Sequence, residues 1–193
     1  MRTAIPDKNK KRRKNELYFD AREYLYKISG VDLTLIDGLD SHSVLKLIGE
    51  TGLDMNRWPS ASHFSSWLGL APGTKISGGK RLSGKTKPSA NRAAEIFRVA
   101  AFTLSNSHSA LGAFLRRMKM RLGAPKAITA TAHKIARLFY IMLRFGKDYK
   151  DTGAEYYEEQ YRSRVIKNMQ IKAAKLGFSL APMSEIDKNM YKL

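Results

Sequence analysis

Residues 71–88 read Ala-Pro-Gly-Thr-Lys-Ile-Ser-Gly-Gly-Lys-Arg-Leu-Ser-Gly-Lys-Thr-Lys-Pro. Two prolines and four glycines break any helical period here and predict a loop or a short hairpin. On both sides the apolar residues return to helical spacing. Downstream, Ala93, Ile96, Phe97, Ala100, Ala101 and Leu104 predict a helix over about 89–105. Leu111, Phe114, Leu115, Met118 and Leu122 predict a second helix that stops at Gly123. Pro125 suits a first helical turn, and Ile128, Ile135, Leu138, Phe139 and Met142 carry a third to Gly146. Tyr157, Tyr161, Val165 and Met169 mark a last amphipathic stretch over 154–176.

Upstream, Leu17, Tyr24, Leu25 and Ile28 predict a helix over 16–29 closed by Gly30. A short helix over 32–37, a Gly38-Leu39-Asp40 turn and a helix capped by Ser41 follow. The buried stripe of that helix is expected at Val44, Leu45, Leu47 and Ile48, and Ser60 or Ser62 starts another short helix through Trp67. Trp58, Trp67, Phe97, Phe114 and Phe139 read as core. The fold class is therefore all-α: a helical bundle with a helix-hairpin-helix-like segment over about 31–52 and one basic, Gly-rich loop or short hairpin over 71–88. The expected division is a basic, disordered arm over 1–15, a main domain over 16–150, and a C-terminal helix and tail over 151–193.

Charge narrows the function. The chain has 193 residues, 35 Lys+Arg and 17 Asp+Glu, for a net charge of +18. Residues 1–54 hold 10 basic and 9 acidic side chains, and residues 148–193 hold 8 and 7. The middle block, 55–147, holds 17 basic residues and one acid, Glu95. That block is rich in Leu, Ile, Phe and Ala, so it folds despite its self-repulsion, and the usual reason to tolerate such repulsion is a polyanionic partner. Nucleic acid is favoured over a membrane surface, because no helix sets a wholly cationic face against a Trp/Leu face. Binding through phosphates would be steeply salt-dependent. The run Lys8-Asn9-Lys10-Lys11-Arg12-Arg13-Lys14 is either a solvated tail or an arm laid over phosphates. The absence of cysteine excludes disulfides, cysteine catalysis and Cys-ligated zinc. No apolar run is long enough to span a bilayer, and the N-terminus lacks a signal-peptide core. The expected location is cytoplasmic and nucleoid-associated.

Two constellations are candidates for function. A helix-hairpin-helix over 31–52 grips a DNA backbone with N–H groups at a helix N-terminus, but Asp37 and Asp40 repel phosphate and favour a purely structural hairpin. The second is the basic loop. Gly78, Gly79 and Gly84 allow close backbone approach to a phosphate, and Lys75, Lys80, Arg81, Lys85 and Lys87 supply positive charge, with Arg92 on the next helix. It is not a P-loop, since Lys80 is not followed by Ser or Thr. By spacing alone, Ser77 is either an ordinary loop serine or a nucleophile. His42, His63 and His108 show no metal-ligand spacing, and His133 is either a structural histidine or a base for the serine.

The ordered series Trp67-Leu68-Gly69-Leu70-Ala71-Pro72, Ile76-Ser77-Gly78-Gly79-Lys80, Gly84-Lys85 and Arg92 resembles one transposase family. This is the insertion-sequence "IS one-ten" type, the DEDD transposases described as bridge-RNA-guided serine recombinases, in their C-terminal part. Phe114-Leu115-Arg116-Arg117, Leu122-Gly123, Ala127 to Ala136 and Met142-Leu143 to Tyr149 follow the same pattern, so the resemblance covers about 31–150. It implies that Ser77 is the nucleophile on a DNA phosphodiester and that Lys80, Arg81, Lys85 and Arg92 line a nucleic-acid surface; Lys75, Lys87, Arg116 and Arg117 join them as candidates.

It also implies DNA and a guide RNA as partners, in a homo-oligomer or with a separately encoded N-terminal half. The family's acidic quartet binds magnesium, and no stretch of this sequence plays that part. The entry to the hairpin is Ile36-Asp37-Gly38 where the family has Ile-Pro-Gly, and His133 stands where it has Arg or Lys. No metal site is expected in this chain, and magnesium enters only with the acidic half. The expectation is a truncated or split transposase that binds nucleic acid and supplies Ser77. The alternative is a non-catalytic nucleic-acid-binding module or inactive remnant.

Overall fold

The structure, a computed structural model, describes Phe19 and residues 21–182. The expected basic arm and Leu17 lie outside the described residues. Seven α-helices and one two-stranded ribbon make up the described fold: α1 (Ala21–Ser29), α2 (Ser41–Thr51), α3 (Ala61–Trp67), β1 (Lys75–Ser77), β2 (Lys80–Ser83), α4 (Arg92–Thr103), α5 (Ala110–Leu122), α6 (Ala124–Phe145) and α7 (Gly153–Lys175). The fold is all-α, as the periodicity predicts. Short polar side chains start most helices by accepting from an otherwise orphaned N–H: Asp40 from Ser43, Ser60 from His63, Asn91 from Ala94 and Ser109 from Gly112.

Residues through Ala154 form one compact unit, and residues from Glu155 onward form another. In the first unit α6 is the axis, packed by α3, α4 and α5, while α2 lies on α4 and α1 on α2. The helix-facing positions of α4 and α6 are largely alanine (Ala93, Ala94, Ala100, Ala101, Ala127, Ala132, Ala136), which lets the backbones approach closely. Phe64, Phe97 and Phe139 fill the space they leave, with Phe64 stacked on Phe139 at 6.3 Å and Phe97 edge-on to Phe139 at 5.5 Å. The Tyr140 hydroxyl donates to the Trp58 carbonyl at 2.8 Å, so the one polar atom of that side chain is satisfied inside the core.

Several details differ from the sequence reading. Tyr24, Ile28 and Leu45 are exposed, because Ala21 with Leu25 and Val44 with Leu47 set the buried lines of α1 and α2. Asp40, not Ser41, caps α2. Trp67 is 44% exposed at the end of α3, in contact with the rings of Trp58 and Phe64. Residues 33–35 form only a single 3-10 turn. The Gly38 turn after it leans on α4, where a Cβ would lie 2.6 Å from the Ala100 carbonyl oxygen.

The three acids of this segment are likewise engaged within the fold. Asp32 is ion-paired with Arg22 and accepts from the Thr34 N–H and hydroxyl. Asp40 caps α2, and Asp37 lies close enough to Tyr149 to act on it electrostatically.

Candidate nucleic-acid interface and the Ser77 ribbon

The chain leaves the core after buried Leu68 and Leu70 and returns to it at α4. Its two legs are joined at the neck by the Gly73 N–H donating to the Lys85 carbonyl (3.1 Å) and by a bridge between Pro72 and Thr86. The approach is so close that a Cβ on Gly73 would sit 2.7 Å from the Lys85 oxygen. Beyond the neck, β1 and β2 pair antiparallel with Ser77 opposite Lys80, Ile76 opposite Arg81 and Lys75 opposite Ser83, with a bulge between Lys75 and Ile76.

Gly78 and Gly79 form the tip. Both have positive φ, +55° and +73°, as a two-residue type I′ turn requires. The space around both is open. The glycine pair therefore has a structural cause, and the same geometry leaves its backbone accessible.

Ser77 is exposed on the last residue of β1. Residues directly opposite in an antiparallel pair share a face, so the Ser77 hydroxyl and the Lys80 ammonium lie on one side of the ribbon, next to the tip. Ile76 and Leu82 are about two-thirds exposed (66% and 68%). A ribbon with apolar side chains in water is only marginally stable alone. The candidate cations do not form one cluster around Ser77. Lys80, Lys85 and Lys87 are exposed on the ribbon and its neck, and Gly84 is exposed just past β2. Arg92 is exposed at the start of α4, 3.7 Å from Glu50 of α2, on the rim of a shallow groove with His42, Lys46 and Glu95.

Arg116 is half-buried, and its guanidinium donates to the Ser107 carbonyl at 2.6 Å and the Ser105 carbonyl at 3.4 Å. Together with Lys119, whose ammonium donates to the Ser105 hydroxyl (2.8 Å), it fixes the turn between α4 and α5. Arg117 is half-buried beside it.

His133 is on α6 in a cleft with Leu111, Lys134, Arg137 and Tyr149; Ser77 is not among the residues that line it. Burial first, and the Arg137 charge second, hold the imidazole below its usual range, which favours the neutral ring. At the same cleft, Asp151 accepts from the Ala110 N–H (3.0 Å) and from the Tyr149 hydroxyl (3.2 Å). Burial, then the Asp151 charge, pushes the Tyr149 phenol far above its usual range. Sequence reading missed Asp151 as a cap for α5, since it lies 41 residues from the amide it caps.

Among the described residues, no three His, Asp or Glu side chains gather closely enough to hold a metal ion. Nor is any described helix long and apolar enough to cross a membrane.

Comparison with known families gives one result. Residues 32–115 match the Transposase IS116/IS110/IS902 family. It is the family that the ordered motifs resemble. The matched transposase segment runs from the Arg22-paired Asp32 through α2, α3, the ribbon and α4 into α5, so the whole Ser77 ribbon lies inside it. The match assigns that segment to insertion-sequence transposition and implies DNA as its partner. No curated protein and no solved structure shows a significant match to the chain.

Proposed function

We propose that this chain acts in insertion-sequence transposition by holding DNA against the basic ribbon, where the Ser77 hydroxyl attacks a phosphodiester. One observation carries the reading: Ser77 is exposed beside the open Gly78-Gly79 tip with Lys80 directly across the ribbon, inside the matched transposase segment. In the step, Ser77 Oγ forms a new bond to phosphorus and loses its proton. The bridging ester oxygen leaves and gains one, and the chain is left joined to DNA through a phosphoserine. Lys80 offsets charge that builds on the non-bridging oxygens, and the tip N–H groups are open to the same oxygens.

A neutral serine hydroxyl is a weak nucleophile, so the reaction needs an activating base or further charge stabilisation. The proposal takes these from an acidic, magnesium-binding half supplied in the assembly, and from a guide RNA that selects the DNA by pairing. No step on this chain is routed through magnesium, because its carboxylates do not gather into a site. Lys75, Arg81, Lys85, Lys87 and Arg92 extend the phosphate contacts, with Arg117 on α5, while Arg116 acts by holding the α4–α5 turn in place.

The test is strand cleavage by the assembled components. Ser77→Ala is expected to lower cleavage by at least about a thousandfold while leaving DNA affinity within about twofold, as when a nucleophile rather than a binding group is removed. Cleavage that survives in Ser77→Ala leaves the alternative, a module that binds nucleic acid without chemistry.

A further inference from the structure

We propose that α7 pairs antiparallel with α7 of a second copy of this chain, about a two-fold axis at Val165. The helix has 23 residues, and none of them is buried. Isolated helices of this kind are marginal in water, because most helical stability comes from packing one face. The sequence of α7 carries such a face, and its arrangement selects the occupant.

Two antiparallel helices that cross at one residue bring together, at the same level, residues equally far before and after it. With Val165 as that residue, Tyr161 meets Met169 and Tyr157 meets Ala173, an aromatic–thioether pair and a large–small pair. The same register sets Glu158 against Lys172 and Glu155 against Lys175. At about 100° per residue, Tyr161 and Met169 lie about 40° to either side of Val165, and Glu158 and Lys172 about 20° to either side. All of these fall on one face.

The charges follow the same symmetry. Glu155, Glu158 and Glu159 occupy the first part of the helix, and Arg162, Arg164, Lys167, Lys172 and Lys175 the rest. A parallel pair would set like charges against like, whereas an antiparallel pair sets acid against base at both ends. Acids near a helix N-terminus and bases near its C-terminus also suit the helix dipole. The dipole explains the order of signs. It does not explain why two acids and two bases sit at matched distances from one valine, on the face that also carries the apolar stripe.

The inference is independent of the chemistry at Ser77. It predicts a dimer of the full chain by analytical ultracentrifugation. Glu155→Lys with Glu158→Lys makes both ends positive, and Lys172→Glu with Lys175→Glu makes both negative. Each pair of changes is expected to weaken dimerisation by at least about tenfold, since four exposed ion pairs give way to repulsion. The two variants mixed together, or all four changes in one chain, restore it.

The chain has no native cysteine, so introduced thiols report without background. Tyr161→Cys mixed with Met169→Cys is expected to give a disulfide-linked dimer under oxidation, while each alone gives none. A monomeric chain, a dimer indifferent to the charge changes, or homotypic crosslinks from each single cysteine would each overturn the proposal. Unchanged thermal unfolding of the α1–α6 core controls for misfolding in every variant.

Discussion

At the scale of single residues, the informative side chains are those whose surroundings force a state on them. Burial by itself would raise the Asp32 carboxyl, but hydrogen bonds from Arg22 and Thr34, with the Arg22 charge, outweigh it and hold the group below its usual range. A depressed carboxylate stabilises the fold above its unfolded pKa, and that stability is lost as pH falls through the folded one. His133 adds to acid sensitivity by a different route. Its folded pKa is depressed, so the unfolded chain takes up the proton first, and stability falls as pH drops below the usual histidine value of 6.5. Two acid-side losses are therefore expected, one below about 6.5 from His133 and one below about 4 from Asp32. Thermal melts against pH check this: Asp32→Asn should flatten the lower limb and cost about 1–3 kcal/mol at neutral pH, because Arg22 is left without its charged partner.

Not all of this was legible in the sequence. Asp32 and Arg22 are 10 residues apart with a turn between them, and no period predicts their pairing. The Ser77-Gly78-Gly79-Lys80 stretch was legible as a turn, because two adjacent glycines are what a two-residue hairpin needs. Arg116 was legible only as a cation. That it spends its guanidinium on two carbonyls of the preceding turn depends on how α5 packs, which spacing alone does not reveal.

Among the elements, the ribbon is the most informative. It is short and joined to the bundle through a narrow neck, with two apolar side chains in water, so its order depends on the neck and on whatever it meets. Gly73→Ala places a Cβ against the Lys85 carbonyl and should open the neck. The expected cost to the whole fold is small, under about 1 kcal/mol, because the bundle does not rest on the ribbon. Amide exchange should rise at Gly73 and through β1 and β2 while α4 and α6 stay protected. Uniform exchange in wild type and variant would contradict that account.

The ribbon cations act on DNA as point charges. Lys80→Glu with Lys85→Glu should weaken DNA binding and reduce the dependence of log affinity on log salt by about one for each phosphate no longer neutralised. A filter-binding titration at several salt concentrations measures both. Helix positions in this part of the chain were read well because Gly123, Pro125 and Gly146 punctuate them. The exposed lines at Tyr24, Ile28 and Leu45 were misread, because each lies close in sequence to a buried residue and only the packing partner decides between them.

For the whole molecule, structure and charge are separate matters. The bundle stands on an apolar axis, α6, with an alanine-lined interface and a three-ring cluster. Phe139→Ala should cost about 3–5 kcal/mol by urea unfolding, since the rings of Phe64 and Phe97 cannot collapse into the space without moving two helices. The charge of the 55–147 block contributes nothing to this stability and works against it through self-repulsion. A fold that keeps 17 basic residues against one acid in its central block is built for a polyanion. Both the match to a transposase family and the exposed serine on its ribbon agree with that.

The central claim is that Ser77 forms a covalent bond to DNA. The direct measurement is to incubate labelled DNA with this chain, guide RNA, magnesium and the acidic half, then denature the mixture and digest the protein for mass spectrometry. The account predicts a nucleotide adduct on the peptide that carries Ser77, and none in Ser77→Ala. An adduct on another residue, or no adduct when DNA is cleaved, would contradict it.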